Sequence, residues 1–157
     1  MSALIIDLAT LQSGVCPVHL ECGAEDLGLP AAEWHGRVGA DLTVERSGEQ
    51  VSVRGRVTAH AGLECVRCLR AFELNVEASL EVFADRAGHG RHVEDEVELE
   101  RDRYMTFHDG RHLDVGEEAR EALILELPIA PRCREDCRGL CPRCGADLNE
   151  GPCGCGG

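Results

Sequence analysis

The clearest signal in this chain is a run of period two. Val51, Val53, Val57, Ala59 and Ala61 alternate with Ser52, Arg54, Arg56, Thr58 and His60, with Gly55 the one interruption. Further on, Phe72, Leu74, Val76, Ala78, Leu80 and Val82 alternate with Glu73, Asn75, Glu77, Ser79 and Glu81. A strand points successive side chains to opposite faces, so this pattern predicts two half-buried strands. The residues around CVRC join them, and the simplest arrangement is a long hairpin with Cys65 and Cys68 at its tip.

The flanks are more broken. LIIDLA (4–9) reads as a short buried strand, and residues 11–30, interrupted by Gly and Pro, read as loop. Residues 35–50 offer a strand and then a turn at Ser47-Gly48. Residues 85–102 are acidic and polar, a solvated loop with one short strand, and acidic pairs such as Asp95-Glu96 and Glu117-Glu118 read as solvated faces. YMTF (104–107) reads as a strand, with a turn at Asp109-Gly110. The best helix lies within 114–128: Asp114 can cap it with Glu117 as capping-box partner, and Val115, Ala119, Ala122 and Leu123 share one face. Pro128 and Pro131 then forbid more helix. The expected fold is α+β and β-rich: an antiparallel sheet or partial barrel with a long hairpin and one main helix, plus a C-terminal cysteine-rich zinc-binding extension. The expected division is a β-rich domain over 1–128 and a zinc-binding tail over 129–157.

Composition narrows the function classes. The 157 residues carry a net charge of −13 and only 3% aromatics. Such a field repels a bare phosphate backbone, and few rings are present to stack on unpaired bases. It suits basic protein partners instead. No segment approaches the roughly 18 apolar residues of a membrane span. The N-terminus lacks the basic region of a secretory signal, its first charge being Asp7, so a cytoplasmic protein is expected. In a reducing cytosol, closely paired cysteines favour metal over disulfides.

Ten cysteines are present, six of them in CREDCRGLCPRCGADLNEGPCGC (133–155). A Cys-x2-Cys turn places two thiolates on one side of a tight loop whose N–H groups can point at the sulfurs. Zinc wants four such ligands in a tetrahedron. The economical partition is Cys141, Cys144, Cys153 and Cys155 in one site, and Cys65, Cys68, Cys133 and Cys137 in another. Two other partitions stay open: a single tail site drawing on Cys133 or Cys137, and a site mixing Cys65 and Cys68 with Cys141 and Cys144. In either case one or two structural zinc ions are expected, since four thiolates saturate the metal. HExxH and the zinc deaminase signature are absent. Cys65-Val-Arg-Cys68 matches a dithiol redox pair in spacing but lies between strands instead of at a helix N-terminus. Cys16, His19 and Cys22 form Cys-x2-His-x2-Cys, which reads as loop thiols. His89, His92, His108 and His112 read as solvated. Arg132, Arg134, Arg138 and Arg143 make one local basic patch in an acidic protein, able to touch phosphate or to balance thiolate charge.

The order of elements also resembles a family. A strand leads into ECVRCLRAFE, then come an acidic stretch ending in a tyrosine, a helix, ELPIAPRCREDCRGLCPRCGADLN and CGC. This is similar to the YceD family, described as large ribosomal RNA subunit accumulation proteins, from Val51 to Cys155. The matching residues are Cys65, Arg67, Cys68 and Leu69, then Cys133, Cys137, Gly139, Leu140, Cys141, Cys144, Gly145, Leu148, Asn149, Cys153 and Cys155. The resemblance implies a small bacterial non-enzymatic protein needed for 23S rRNA to accumulate. Some relatives lack the cysteine tail, which would make its metal a stabiliser. The first 30 residues, with Cys16 and Cys22, have no counterpart in the resemblance. The reading is therefore a ribosome-assembly factor that meets a basic ribosomal protein or a large-subunit precursor, with Arg67, Arg70, Arg138 and Arg143 as candidate contacts. Direct rRNA contact is disfavoured by net charge, and no membrane or small-molecule partner is expected. The competing readings are a zinc-dependent or thiol-redox enzyme using Cys65 and Cys68, and a metal store.

Overall fold

The alternating segments form the centre of a five-stranded sheet. The structure, a computed structural model, describes residues 4–11, 14–86 and 106–155. In chain order the elements are β1 (Ile5–Asp7), β2 (Gly14–Gly23), β3 (Trp34–Ser47), β4 (Gln50–Glu64), β5 (Ala71–Arg86), β6 (Thr106–His108), β7 (His112–Asp114) and α1 (Gly116–Leu125), with 3-10 turns at Leu8–Thr10 and Glu25–Leu27. The sheet order is β2-β3-β4-β5-β6, and β1 pairs with β7 in a separate two-stranded ribbon. Of the two expected architectures the open sheet is the one formed. Its strands run antiparallel except at one end, where β6 joins β5 in parallel.

The long hairpin is present as expected. β4 and β5 pair without a register break from Val51↔Ala84 to Glu64↔Ala71, which leaves residues 65–70 as the tip. β3 turns into β4 through Gly48 at φ +63, the left-handed geometry a two-residue hairpin loop calls for. Val53, Val57, Ala59, Val76, Ala78, Leu80 and Val82 are all buried on one face. There Ala119 and Leu123 of α1 cover them, beside Leu4, Ile6, Leu8, Leu113 and Val115 from β1, β7 and their flanks. Burying each large aliphatic side chain contributes about 1.5–3 kcal/mol. The other face is wet and carries cross-strand pairs, Arg54 with Glu81 at 3.5 Å and Arg56 with Glu77 at 3.3 Å. Such exposed pairs contribute little to stability.

Gly55 breaks the alternation for a steric reason. It sits at an inward position opposite Leu42. A Cβ there would strike the Asp41 carbonyl and lie 2.8 Å from Leu42 Cα. The neighbouring strand passes too close for any side chain.

Three expectations need correction. Residues 11–30 are not mainly loop, because Gly14–Gly23 forms β2 and pairs along its length with β3. Cys16, Val18, Leu20 and Cys22 point to the more buried side, and Pro17 is tolerated because β2 is an edge strand. Asp114 does not cap the helix; Val115 holds that position and no side chain caps it. Asp114 pairs with Ile5 in β7 and Val115 is fully buried, so the helix can begin only after them. The Asp114 carboxylate instead accepts the Gly116 N–H at 2.9 Å. His108 is buried, not solvated: its Nε2 lies 2.7 Å from the Glu49 carbonyl and its Nδ1 accepts the Gly110 N–H at 3.0 Å, so the ring pins β6 under the β3–β4 turn. The strand expected over 104–107 covers Thr106–His108 among the described residues.

The Asp109-Gly110 turn forms as read, with the Asp109 carboxylate accepting the N–H groups of Arg111 and His112. The acidic stretch from 87 onward, with His89, His92, Asp95, Glu96 and Tyr104, lies outside the described residues. No described helix is long and apolar enough to cross a membrane.

Candidate metal centres

Both Cys-x2-Cys pairs make the same turn. At the hairpin tip, Leu69 N–H donates to the Cys65 carbonyl at 2.9 Å, and Cys65 N–H donates to the Arg70 carbonyl at 2.9 Å. In the tail, Gly145 N–H donates to the Cys141 carbonyl at 2.9 Å, and Cys141 N–H donates to the Ala146 carbonyl at 2.8 Å. The turn requires a left-handed residue just after the second cysteine, and Leu69 (φ +61) and Gly145 (φ +75) supply it. Glycine adopts this freely, whereas a leucine there is strained by about 1 kcal/mol or more.

The turn also aims backbone N–H groups at the first sulfur of each pair. From the turn, those of Cys68 and Arg67 point at Cys65, joined by that of Cys133 from the tail, and those of Cys144 and Arg143 point at Cys141. Hydrogen bonds to a thiolate favour it over the thiol. Both cysteines are pulled down to about 6 from an ordinary 9.0, so each is mostly thiolate at neutral pH.

The first tetrad joins the tip to the tail. The sulfurs of Cys65, Cys68, Cys133 and Cys137 all lie within 4.8 Å of one another. Cys65 is 3.6 Å from Cys137, and Cys68 is 3.6 Å from Cys133. A tetrahedral ion with four bonds of about 2.3 Å to sulfur sets its ligands roughly 3.8 Å apart. The four sulfurs thus sit near the corners such an ion requires. Cys65, Cys68 and Cys137 are buried, with Phe72, Cys133 and Leu140 packed around them.

Backbone contacts hold the tail in place around this tetrad. Val66 N–H donates to the Pro131 carbonyl at 2.9 Å and Leu140 N–H to the Arg67 carbonyl at 3.2 Å. Gly139, at φ +79, lies against Arg67, where a Cβ would come 3.2 Å from the carbonyl oxygen. The thiols here are not equivalent. The Asn149 amide, 3.3 Å away, draws Cys137 down. Burial and the neighbouring sulfurs push Cys133 up to about 12. Without metal, Cys133 keeps its proton at neutral pH.

The second tetrad is local and more open. Cys141, Cys144, Cys153 and Cys155 also bring their sulfurs within 4.8 Å of one another, with Cys153 at 3.5 Å from Cys141. Cys141 is buried, Cys144 is exposed and the other two are half-buried. No disulfide joins any of these eight cysteines. Two four-sulfur sets are therefore present, each able to hold a metal ion, and the arrangement that mixes the Cys65 pair with the Cys141 pair is not the one formed.

Hydrogen bonds tie the tetrads together. Leu140 and Asp147 form an antiparallel bridge, and Leu148 N–H donates to the Gly139 carbonyl at 2.9 Å. Arg70 reaches from the hairpin tip to Asp147 at 3.1 Å and Glu150 at 3.6 Å. Arg67 donates to the Cys137 carbonyl at 3.3 Å. These two arginines are thus engaged within the molecule, while the backbone near Arg138 is engaged and its side chain, like that of Arg143, is exposed. Arg134 pairs with Asp136 at 3.4 Å. Asp147 and Asn149 are the functional residues that spacing does not expose. Their sequence context marks a turn, and only the fold shows which sulfur and which arginine they meet. Cys16 and Cys22 do not converge with His19, because His19 points to the opposite, wet face of β2 and bonds Asp41 at 2.6 Å.

Much of the chain resembles known proteins. Residues 53–157 match the family described as Large ribosomal RNA subunit accumulation protein YceD. An uncharacterised protein of Mycobacterium leprae is 39% identical over 123 residues, covering 78% of this chain and 54% of that protein. An uncharacterised protein of Mycobacterium tuberculosis is 40% identical over 115 residues, covering 71% of this chain and 52% of its own. The chain thus spans about half the length of these curated relatives. A chloroplastic YCED homolog of Arabidopsis thaliana, named for large ribosomal RNA subunit accumulation, is 37% identical over 46 residues, 29% of this chain and 14% of that protein. No solved structure matches.

Proposed function

Because the chain belongs to the YceD family, we propose that it is a non-enzymatic, cytoplasmic factor in large-subunit assembly that supports 23S rRNA accumulation and holds two structural zinc ions. The observation that carries the reading is the pair of four-cysteine sets within a chain whose family is named for rRNA accumulation. Four thiolates complete a tetrahedral zinc shell and leave no position open for substrate, the donor set of a structural site. Cys65, Cys68, Cys133 and Cys137 hold one ion, and Cys141, Cys144, Cys153 and Cys155 hold the other. The body over 1–128 and the tail over 129–157 are then joined through the first ion.

The zinc makes the tip and tail a rigid contact surface. Val66 and Leu69, about half exposed, stand beside it, and Arg138 and Arg143 extend from it. Arg67 and Arg70, exposed themselves, brace that surface through the Cys137 carbonyl and Asp147. A net charge of −13 favours a basic ribosomal protein over bare rRNA as the first contact. The enzyme reading draws on the depressed Cys65 thiol. Against it, Cys65 and Cys68 each face a tail cysteine at 3.6 Å and lie between antiparallel strands, not at a helix N-terminus.

Affinity capture of the full chain from a bacterial lysate at moderate salt tests the role. Large-subunit precursors or basic ribosomal proteins should co-purify, and less should do so with R138A/R143A. Capture of neither class by the wild-type chain overturns the assignment.

A further inference from the structure

Asn149 lies in the loop between the two ligand pairs of the second tetrad, Cys144 and Cys153, yet its side chain serves the first. Its Nδ2 donates to Cys137 Sγ at 3.3 Å and its Oδ1 accepts the Arg138 N–H at 2.8 Å. Asp147 Oδ1 accepts the Asn149 N–H at 2.9 Å, which fixes the residue within its loop. The Leu140–Asp147 bridge and the Leu148 N–H on Gly139 lay that loop along the segment that runs from Cys137 to Cys141. We infer that Asn149 is a positioning residue through which metal in the second tetrad strengthens metal binding in the first.

The physical argument is one of order. The return of Cys153 and Cys155 to Cys141 and Cys144 closes the far end of the loop from 145 to 152. A metal ion there holds it closed and so holds the Asn149 amide against Cys137. A donor aimed at a ligating sulfur orients that sulfur and stabilises its charge, and loss of such a partner typically weakens metal binding roughly 10–100-fold. Linkage makes the effect reciprocal, so an ion in the first tetrad also favours the second. The inference rests on the reading that both tetrads hold zinc.

The test is Zn2+ competition against a chelator, with bound metal counted by native mass spectrometry. It uses the full chain, N149D, C153S/C155S and N149D/C153S/C155S. N149D keeps an oxygen for the Arg138 N–H but replaces the donor on Cys137 with a carboxylate. It should bind two ions, the first-tetrad ion roughly 10–100-fold more weakly. C153S/C155S should bind one ion with comparable weakening, and N149D should add little in that background. Wild-type affinity in N149D would mean that Asn149 acts only through its backbone contact, and an undiminished N149D effect without the second site would mean that no coupling runs through it; either overturns the inference alone. A wild-type chain that binds no Zn2+ overturns the two-zinc reading along with it.

Discussion

The two tetrads begin from one local solution and end as different devices. Each is founded on a Cys-x2-Cys turn with matching hydrogen bonds and a first cysteine pulled down to about 6. The second tetrad finds its other pair a few residues downstream, in a tail too small to bury a core. The first finds its other pair 65 and 72 residues away along the chain. One orders a loop; the other fastens the tail to the sheet. The local turn makes a competent thiolate, while chain separation decides what a bound ion would hold together.

The largest effect should come from removing one tetrad at a time. C65S/C68S should release one zinc per chain and free the tail from the hairpin tip. Structural zinc supplies folding free energy in such segments, so a loss of several kcal/mol is expected. C153S/C155S should also release one zinc but leave the sheet close to its original Tm. Metal analysis with thermal unfolding checks both, and equal Tm losses would erase the distinction between the sites.

Protonation should separate the tetrads next. In the zinc-free chain, Cys65 and Cys141 have folded values near 6 against 9.0 unfolded. Their contribution to stability is thus complete above about 9 and fades as pH falls towards 6. Cys133 runs the other way, with a folded value near 12, so its contribution is present below 9.0 and is lost as pH rises towards 12. On the two-zinc reading, an ion entering the first tetrad at neutral pH would have to displace the Cys133 proton. Calorimetric titration in buffers of different ionisation enthalpy should therefore find proton release in C153S/C155S that includes this thiol, and C133S should remove that share of it.

Much of this was legible in residue order. The alternation through β4 and β5 has a single inward face, and the tip falls where it stops. Counting pairs against the four ligands zinc takes made this grouping of the cysteines the economical one and left two others open; the fold brings together the sulfurs of each set. What escaped depended on neighbours. Gly14, Pro17 and Gly23 mask the alternation of β2, and only its edge position makes Pro17 acceptable. Asp114 looks like a cap until strand pairing with Ile5 claims it. His108 is polar in a polar stretch, and only the β3–β4 turn laid over it makes it buried. Asn149 is among the residues that carry the family resemblance, yet no spacing rule tells which sulfur it will face.

Smaller substitutions sharpen the likeness of the two turns. Leu69→Gly should relieve the left-handed leucine, and Gly145→Ala should introduce the same strain into the tail, each shifting stability by about 1 kcal/mol in opposite directions. Chemical denaturation of the zinc-loaded proteins measures both. A loss of stability in L69G would show that the leucine side chain contributes more than its backbone strain removes. Arg70→Ala, which breaks the exposed link to Asp147 and Glu150, should lower stability by less than about 1 kcal/mol and weaken with added salt.

The most direct test of the central claim is zinc K-edge X-ray absorption on the purified full chain, with metal quantified per chain. Two zinc ions per chain, each with four sulfur neighbours at about 2.3 Å, are the expected result. A single ion, nitrogen or oxygen in the coordination shell, or metal-free protein with oxidised cysteines would contradict it.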